Sequence, residues 1–281
     1  MKLAALQLRS TRDPFQNADT VVRLIREAAA LGARYIQTPE LTNLVEIRRK
    51  HAAPQVREEA DEPVLSAVRP LCAELGVTVH LGSLIVREGE QWCNRGYMIG
   101  PGGDIEARYD KLHMFDVDLP SGQSFRESSA YRQGETAVLV DDGPLKIGMA
   151  ICFDLRFPRL FEELANEGAN VLTAPSAFAT ATGDAHWHVL LRARAIENAA
   201  FMVAAAQEGL HEDGRTTYGH AMIVDPWGRV LAEATETPSV IAADIDLSSA
   251  AKMRAQIPTI AARHPSIPVA HRATSEQQAL S

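Results

Sequence analysis

The sequence predicts an α/β fold in a single domain. Apolar segments with a period of two residues alternate with longer amphipathic segments along all 281 residues, which is typical of strands alternating with helices. No shift in composition divides the chain, and a hydrophobic fraction of 46% supplies a large core without disulfides. We therefore predict one domain over residues 1–257 and a C-terminal arm over 258–281. The arm contains Pro258, Pro265 and Pro268, and we expect it to be extended or partly disordered.

The first half of the chain is predicted to begin with a strand over Lys2–Leu8. A helix over 15–31 follows, because its apolar side chains share one helical face and Gly32 supplies a stop signal. The residues Gly100-Pro101-Gly102-Gly103 form a strong turn signal that we expect to close a hairpin. The other elements predicted here are a strand over 35–37, a helix over 63–75 closed by Gly76, and strands over 77–86, up to 99, and over 105–109.

The second half begins with a segment, 111–134, that has no convincing periodicity. A loop of this length inside a compact domain is more often functional than idle, so we predict that it forms one wall of a site. A long helix over 184–200 is expected to be capped by Thr182 or Asp184. The remaining predictions are a helix over 158–167 and strands over 137–140, 145–151, 171–174, 201–206, 220–224, 230–234 and 240–245.

Charge and cysteine usage exclude several classes of protein. The net charge is −8, and no run of Lys and Arg is longer than 48–50, so nucleic acid is not an expected partner. The first apolar stretch stops at Arg9, and no apolar run approaches the roughly 18 residues that a membrane span needs. Three cysteines without CxxC spacing suggest neither a disulfide framework nor a zinc site. We therefore expect a cytoplasmic protein with no membrane partner.

Cys152 is the cysteine most suited to chemistry, because it directly follows a predicted apolar strand. Strand ends of this kind face the ligand crevice in α/β proteins, although the alternative is that Cys152 is simply a small buried hydrophobic residue. Cys72 and Cys93 have apolar surroundings and are predicted to be structural. A thiol needs a base. Glu40, after the strand 35–37, is a candidate for this base, although it could instead be a solvated loop carboxylate. No histidine has an evident partner in the sequence.

Three segments of the chain together resemble the catalytic motifs of the nitrilase superfamily of carbon–nitrogen hydrolases. They are Pro39-Glu40-Leu41, the stretch Tyr109-Asp110-Lys111-Leu112-His113-Met114-Phe115-Asp116, and the stretch Ile151-Cys152-Phe153-Asp154-Leu155-Arg156-Phe157-Pro158. Their order and spacing also match, and residues 182–197 and 203–207 resemble the Nit-type amidase branch. Because Phe153-Asp154 stands where true nitrilases usually have Trp-Glu, nitrile hydrolysis is disfavoured.

The resemblance implies a four-layer αββα sandwich and a homodimer or larger homo-oligomer. It also implies a catalytic triad of Glu40, Lys111 and Cys152, with no cofactor and no metal. In this scheme Glu40 takes the proton of the thiol and returns it to the leaving nitrogen. Lys111 stabilises the oxyanion, with the backbone N–H of Phe153 as a second donor. Glu127 matches a further acidic position that bonds Lys111 and orients substrate or water, and its alternative is a solvated loop carboxylate.

Recognition of the acyl group is assigned to three side chains. Arg156 offers a planar fork that suits a substrate carboxylate, and the alternative is an internal ion pair with Asp154. Phe178 and Thr182 match wall positions of the Nit-type pocket, and the alternative is a purely structural role for both. Trp187 is predicted to belong to the core rather than to the ligand site.

The expected activity is cysteine-dependent hydrolysis of a small carboxylate-bearing amide through a thioester. Of the possible substrates we favour deaminated glutathione, whose acyl half is an α-ketoglutaryl group. The alternatives are α-ketoglutaramate and an N-carbamoyl amino acid, which undergo the same chemistry. A different class of protein, an inactive binding protein with the same fold, also stays open.

Overall fold

The fold is described from a computed structural model, which describes residues 1–118, 122 and 124–263. The helices are α1 (Pro14–Ala30), α2 (Arg49–Ala52), α3 (Pro63–Leu75), α4 (Pro158–Asn166), α5 (Thr180–Asn198) and α6 (Ser248–Gln256). Short 3-10 helices span Glu59–Asp61, Glu127–Ser129 and Cys152–Arg156.

The strands belong to two large sheets and one small hairpin. In chain order they are β1 (Lys2–Leu8), β2 (Tyr35–Gln37), β3 (Thr78–Glu88), β4 (Gln91–Ile99), β5 (Ile105–Asp110), β6 (Asp116–Asp118), β7 (Ser124–Arg126), β8 (Val138–Asp142), β9 (Leu145–Met149), β10 (Val171–Thr173), β11 (Phe201–Ala204), β12 (Ala206–Leu210), β13 (Thr216–Tyr218), β14 (Met222–Val224), β15 (Val230–Glu233) and β16 (Ser239–Asp244).

The two large sheets pack face to face between two layers of helices. One sheet has the order β13-β12-β1-β2-β3-β4-β5, with β16 antiparallel to β1, and the other has the order β15-β14-β11-β10-β9-β8. A cluster of buried aliphatic side chains joins α1 and α3 to the first sheet. A second cluster fills the space between the sheets and extends to α4 and α5 on the far side. The expected αββα sandwich is confirmed.

Local signals explain where most helices begin and end. The Asp13 carboxylate accepts the N–H groups of Phe15 and Gln16 and so caps α1. The helix therefore begins at Pro14, one residue before the predicted start. Gly76 ends α3 in the left-handed conformation, with φ of 63°, as its position in the sequence predicts. In both helices the apolar stripe faces the first sheet, and this burial stabilises helices of these lengths.

Several predictions of secondary structure were wrong. The segment 111–134 is not devoid of regular structure, because β6 and β7 pair within it as an antiparallel hairpin. α5 begins at Thr180 and is preceded by Ala179, so neither Thr182 nor Asp184 caps it. The strand predicted over 201–206 is divided between the two sheets as β11 and β12. The sequence analysis also missed α2, α6 and β13.

The start of the predicted C-terminal arm packs against the domain. The guanidinium of Arg263 donates to the carbonyl oxygens of Glu162 and Glu197 and to the side chain of Asn198. Residues 264–281 lie outside the described part of the chain, and the boundary at 257 stays a prediction. Among the described residues, no helix combines the length and apolar character needed to cross a membrane.

Candidate active site

Cys152 lies in a strained turn three residues beyond the end of β9. Its backbone is left-handed, with φ of 47°, a conformation that costs about 1–3 kcal/mol for a residue other than glycine and persists only where neighbours hold it. The Cys152 N–H donates to the Pro175 carbonyl at 3.0 Å, and the Ile151 N–H donates to the Asp154 carboxylate at 2.8 Å. These bonds replace strand pairing, so the strand predicted to reach Ile151 ends two residues early.

Glu40 follows β2, and its carboxylate is held from three sides. Oε1 accepts from Lys111 Nζ at 2.9 Å and from Asn94 Nδ2 at 3.0 Å, and Oε2 accepts from the Ala177 N–H at 2.8 Å. The next residue, Leu41, is also left-handed, with φ of 57°. Glu40 is only 4% exposed, so these bonds replace solvation that the carboxylate loses on folding.

Lys111 follows β5 and joins the two buried carboxylates. Besides the bond to Glu40, its Nζ lies 3.0 and 2.8 Å from the two carboxylate oxygens of Glu127. Glu127 is fixed in turn by the Phe115 N–H, 2.6 Å from Oε2, and by Asn94 Nδ2, 3.0 Å from Oε1. Only 2% of Lys111 is exposed, so the ammonium group is held as an ion among three carboxylate oxygens of Glu40 and Glu127.

The electrostatics of the site set the protonation of each group. Burial opposes ionisation of Glu40, but the charge and hydrogen bond of Lys111 outweigh it and hold the pKa of Glu40 below its usual value. Burial also opposes the charge of Lys111, yet Glu127 and Glu40 raise its pKa well above the usual value. Burial and then the Glu40 carboxylate raise the pKa of the Cys152 thiol well above its usual value. At neutral pH the site therefore contains a carboxylate, an ammonium ion and a protonated thiol.

All eight residues singled out in the sequence line one cavity of about 530 Å³. They are Glu40, Lys111, Glu127, Cys152, Phe153, Arg156, Phe178 and Thr182. The Phe153 N–H donates to no acceptor among the described residues, whereas the N–H groups on either side of it are bonded to Pro175 and Ile151. A free N–H beside the thiol can donate to an oxygen atom that enters the cavity.

Asp154 and Arg156 do not form the ion pair considered as an alternative. Asp154 is fully buried and accepts from Tyr109 Oη at 2.7 Å and from the N–H of His113 at 3.0 Å. Arg156 instead lies with its guanidinium 5.0 Å from the centre of the Phe178 ring, and no carboxylate pairs with it among the described residues. Burial accordingly lowers the pKa of Arg156. The cavity therefore contains a guanidinium available to an anion.

Two groups that organise the site were not predicted from the sequence. Asn94 bridges Glu40 and Glu127, but a neutral residue in the middle of β4 carries no motif that would reveal this. No partner was predicted for His113, yet its ring stacks on Phe157 at 3.6 Å and its Nδ1 lies 2.6 Å from the Asp154 carboxylate. Alternation along β4 places Asn94 on one face, but only the fold shows what that face meets.

Gly82, in β3, lies between the loop that carries Glu40 and the loop whose Pro175 carbonyl holds Cys152. A methyl group added at Gly82 would lie 2.1 Å from the Thr38 carbonyl oxygen and 2.4 Å from Pro175 Cβ. Thr38 precedes Glu40 by two residues, and Pro175 accepts the N–H of Cys152. We expect Gly82→Ala to destabilise the protein by about 1–3 kcal/mol and to reduce kcat more than tenfold, because backbone must move at both loops.

Thermal unfolding and kcat of the purified variant test this expectation. Gly102→Ala is the matched control, because the added Cβ at Gly102 meets its nearest neighbouring atom at 3.9 Å, an ordinary contact. An unchanged kcat in Gly82→Ala would mean that the loops adjust without moving the reacting groups.

A protonated thiol beside a carboxylate base and a buried ammonium ion, set between the sheets of an αββα sandwich, defines a hydrolase of carbon–nitrogen bonds. The chain belongs to the carbon-nitrogen hydrolase family, whose model matches residues 2–255.

Relatives and solved structures support the same assignment. The chain is 40% identical over 274 residues to the deaminated glutathione amidase of Bos taurus, covering 94% of this chain and 82% of the relative. It is 33% identical to the NitFhit protein of C. elegans, with a TM-score of 0.86, covering 93% of this chain and 64% of that one. It is 25% identical to a mutant amidase from Nesterenkonia sp. AN1 that carries acrylamide added at the active site cysteine, with a TM-score of 0.76, covering 92% and 98%.

Proposed function

We propose that this protein hydrolyses the amide bond of deaminated glutathione, releasing α-ketoglutarate and cysteinylglycine. The observation that carries the proposal is the 40% identity to the bovine deaminated glutathione amidase over nearly the whole chain. The chemistry of the cavity supports it, because a buried thiol, a carboxylate base and unpaired guanidinium groups suit an anionic amide.

In the first half of the reaction, the Glu40 carboxylate accepts the proton of Cys152 as Sγ attacks the amide carbonyl carbon. The carbonyl oxygen becomes an oxyanion, which accepts from Lys111 Nζ and from the N–H of Phe153. The C–N bond then breaks, and Glu40 returns its proton to the nitrogen of the leaving cysteinylglycine. This leaves an α-ketoglutaryl thioester on Cys152.

In the second half, water replaces the amine in the cavity. Glu40 accepts a proton from the water as its oxygen attacks the thioester carbonyl, and the same two donors stabilise the second oxyanion. The C–S bond breaks, and the thiolate of Cys152 takes the proton from Glu40 as α-ketoglutarate leaves. Glu127 positions Lys111 through both halves of the reaction, because its two carboxylate oxygens lie 2.8 and 3.0 Å from Lys111 Nζ.

Two arginines of the cavity match the two carboxylates of this substrate. Among the described residues, Arg156 and Arg49 have no carboxylate partner, whereas Arg126 pairs with Asp118 and Arg215 pairs with Asp213, each at 2.8 Å. Arg49 stacks over Trp92 at 4.5 Å and donates to the Ala130 carbonyl. In the proposal Arg156 binds the α-keto carboxylate and Arg49 binds the glycine carboxylate of the leaving group.

The test is a comparison of kcat/KM for deaminated glutathione and α-ketoglutaramate, with Cys152→Ala as the blank. We expect deaminated glutathione to be preferred at least about tenfold, because a charged hydrogen bond to the leaving group contributes about 1.5–3 kcal/mol that α-ketoglutaramate cannot gain. A preference for α-ketoglutaramate would contradict the assignment of the leaving group.

Acrylamide labelling separates a wrong substrate from an inactive site. We expect rapid modification of Cys152, which lines the cavity beside the Glu40 base, and none of Cys72 or Cys93, which are fully buried outside it. Labelling of Cys152 without hydrolysis of either amide would show that the thiol is reactive and that the proposed substrate is wrong. Equally slow labelling of all three cysteines would favour an inactive binding protein.

A further inference from the structure

Three side chains that are common metal ligands converge outside the cavity. His188 lies in α5, His220 lies between β13 and β14, and Glu233 is the last residue of β15. Glu233 Oε1 lies 2.9 Å from His188 Nε2 and 2.6 Å from His220 Nδ1. One ligand atom from each residue lies within 4.8 Å of the other two, and none of the three is among the described residues that line the cavity.

The backbone is strained where it presents His220 to this cluster. His220 is left-handed, with φ of 57°, and it follows Gly219, with φ of 72°. The Trp187 Nε1–H donates to the His220 carbonyl at 2.8 Å, and the ring of Tyr218 stacks on the imidazole with centroids 4.4 Å apart. Strain of this kind persists only where surroundings enforce it. Here it orients the imidazole toward Glu233.

The cluster lacks a permanent positive charge. Glu233 pairs with the two imidazoles, and no Lys or Arg pairs with it in the described parts of the chain. The three side chains are 30–37% exposed, so an ion can reach them from solvent.

We propose that His188, His220 and Glu233 bind one divalent transition-metal ion of the zinc class. Two imidazole nitrogens and one carboxylate oxygen are a usual three-ligand set for Zn²⁺, with water in the fourth position. Bond lengths of about 2.0–2.2 Å place neighbouring ligand atoms about 3.4 Å apart on a tetrahedral ion. The observed separations of 2.6 and 2.9 Å are shorter than this by about 0.5–0.8 Å, so the Glu233 oxygen must move away from both imidazoles as the ion enters.

Binding also requires a change of protonation. A carboxylate oxygen can only accept, so His188 Nε2 and His220 Nδ1 each carry a proton in the hydrogen-bonded cluster. Metal binding needs the lone pairs of these two nitrogens, so each must give up the proton that it donates to Glu233, to its other ring nitrogen or to water. The bound ion would join α5 to β14 and β15, so it should stabilise the folded state.

The test uses Zn²⁺ itself with the Cys152→Ala protein, because the active-site thiol would otherwise compete for the ion. After treatment with EDTA and its removal, isothermal titration is expected to show one Zn²⁺ per chain and a raised Tm. Co²⁺ in place of Zn²⁺ is expected to give visible absorption bands of a low-symmetry site. We expect His188→Gln and His220→Asn to weaken Zn²⁺ binding at least about tenfold, since each removes one ligand.

The variants are chosen to keep the fold. Glutamine is a good helix former for the exposed face of α5, and asparagine tolerates the left-handed backbone at position 220. His51→Gln is the matched control, because His51 lies 3.6 Å from one carboxylate, that of Glu46, without a second imidazole. Its Zn²⁺ affinity is expected to be unchanged.

Two results would overturn the metal site. One is the absence of stoichiometric Zn²⁺ binding to folded Cys152→Ala protein, which would make the cluster a hydrogen-bonded one only. The other is an unchanged affinity in folded His188→Gln, which would place the ion elsewhere. Circular dichroism in EDTA establishes that each variant is folded. Neither result bears on the proposed amidase activity, which is assayed separately.

Discussion

Replacing Lys111 with methionine is expected to abolish turnover and to destabilise the protein. The variant loses the ammonium donor of the oxyanion, which alone reduces kcat about 10²–10³-fold. It also leaves Glu40 and Glu127 buried together without a cation, and breaking a buried ion pair costs about 3–5 kcal/mol. Kinetics of the amidase reaction and urea unfolding measure the two effects.

The loss of stability in Lys111→Met should depend on pH in a particular direction. Without Lys111, burial is opposed by hydrogen bonds but by no ammonium ion, and we expect it to raise the folded-state pKa of Glu40 above its unfolded value. Such a group destabilises the fold progressively as pH rises through its unfolded pKa, so the defect relative to wild type should be largest at neutral pH and smaller near about pH 5. In the wild type the contribution of Glu40 to stability has the opposite sign. Its folded-state pKa is lowered, so its ionised form stabilises the fold at pH values above the unfolded pKa, and this contribution is lost as the pH falls.

Lys146→Met is the control for this experiment. Lys146 is half-exposed and lies 3.7 Å from Asp141, a surface pair that contributes little. A Lys111→Met protein with the stability of Lys146→Met and turnover within tenfold of wild type would mean that Lys111 is not part of the catalytic machinery.

Replacing Glu40 with glutamine is expected to reduce kcat/KM about 10²–10⁴-fold. The loss of stability should be smaller than in Lys111→Met, because Lys111 still pairs with Glu127 and no buried charge is left without a partner. Glutamine has nearly the same shape and can still accept the Ala177 N–H, but it cannot take the proton from Cys152. Because burial and the Glu40 charge raise the pKa of the thiol, a thiolate does not form spontaneously at neutral pH. The base is therefore needed for the attack itself, and kcat/KM of the variant is the measurement.

The same reasoning predicts the pH profile of the wild type. Activity requires ionised Glu40, whose pKa is lowered, so the acid limb should lie below the usual glutamate range. The raised pKa values of Cys152 and Lys111 move the alkaline limb above the usual thiol range. We expect kcat/KM to be flat from about pH 5 to 8. An acid limb lying between about pH 5 and 8 would show that another group acts as the base. The control variant for Glu40→Gln is Glu163→Gln, because Glu163 lies at the surface.

Local patterns were sufficient to predict most elements of this fold. β1, β2 and α3 have the predicted bounds, since alternation, helical periodicity and Gly76 are properties of short segments. The start of α5 was missed because no side chain caps it. Its first turn is positioned instead by the pairing of Ala179 with Thr217, a contact between distant segments.

The candidate site also combines residues that local patterns predict with contacts that only the fold decides. The motifs around Glu40, Lys111 and Cys152 identified the residue types that amide hydrolysis needs, because each is a short stretch at a strand end. Lys111 and Glu40 are 71 residues apart, and only the order of strands in the first sheet brings their side chains together. Asn94 between them had no local signal at all.

The sequence by itself determined the secondary-structure pattern, the family and the set of reactive residues, because these depend on side-chain chemistry within short segments. The tertiary structure alone decided which partners those residues take. It paired Asp154 with Tyr109 and His113 and so left Arg156 open to the cavity. It also brought His188 and His220 to Glu233, since pairing between strands selects neighbours that are remote in the chain, and no local pattern encodes that choice.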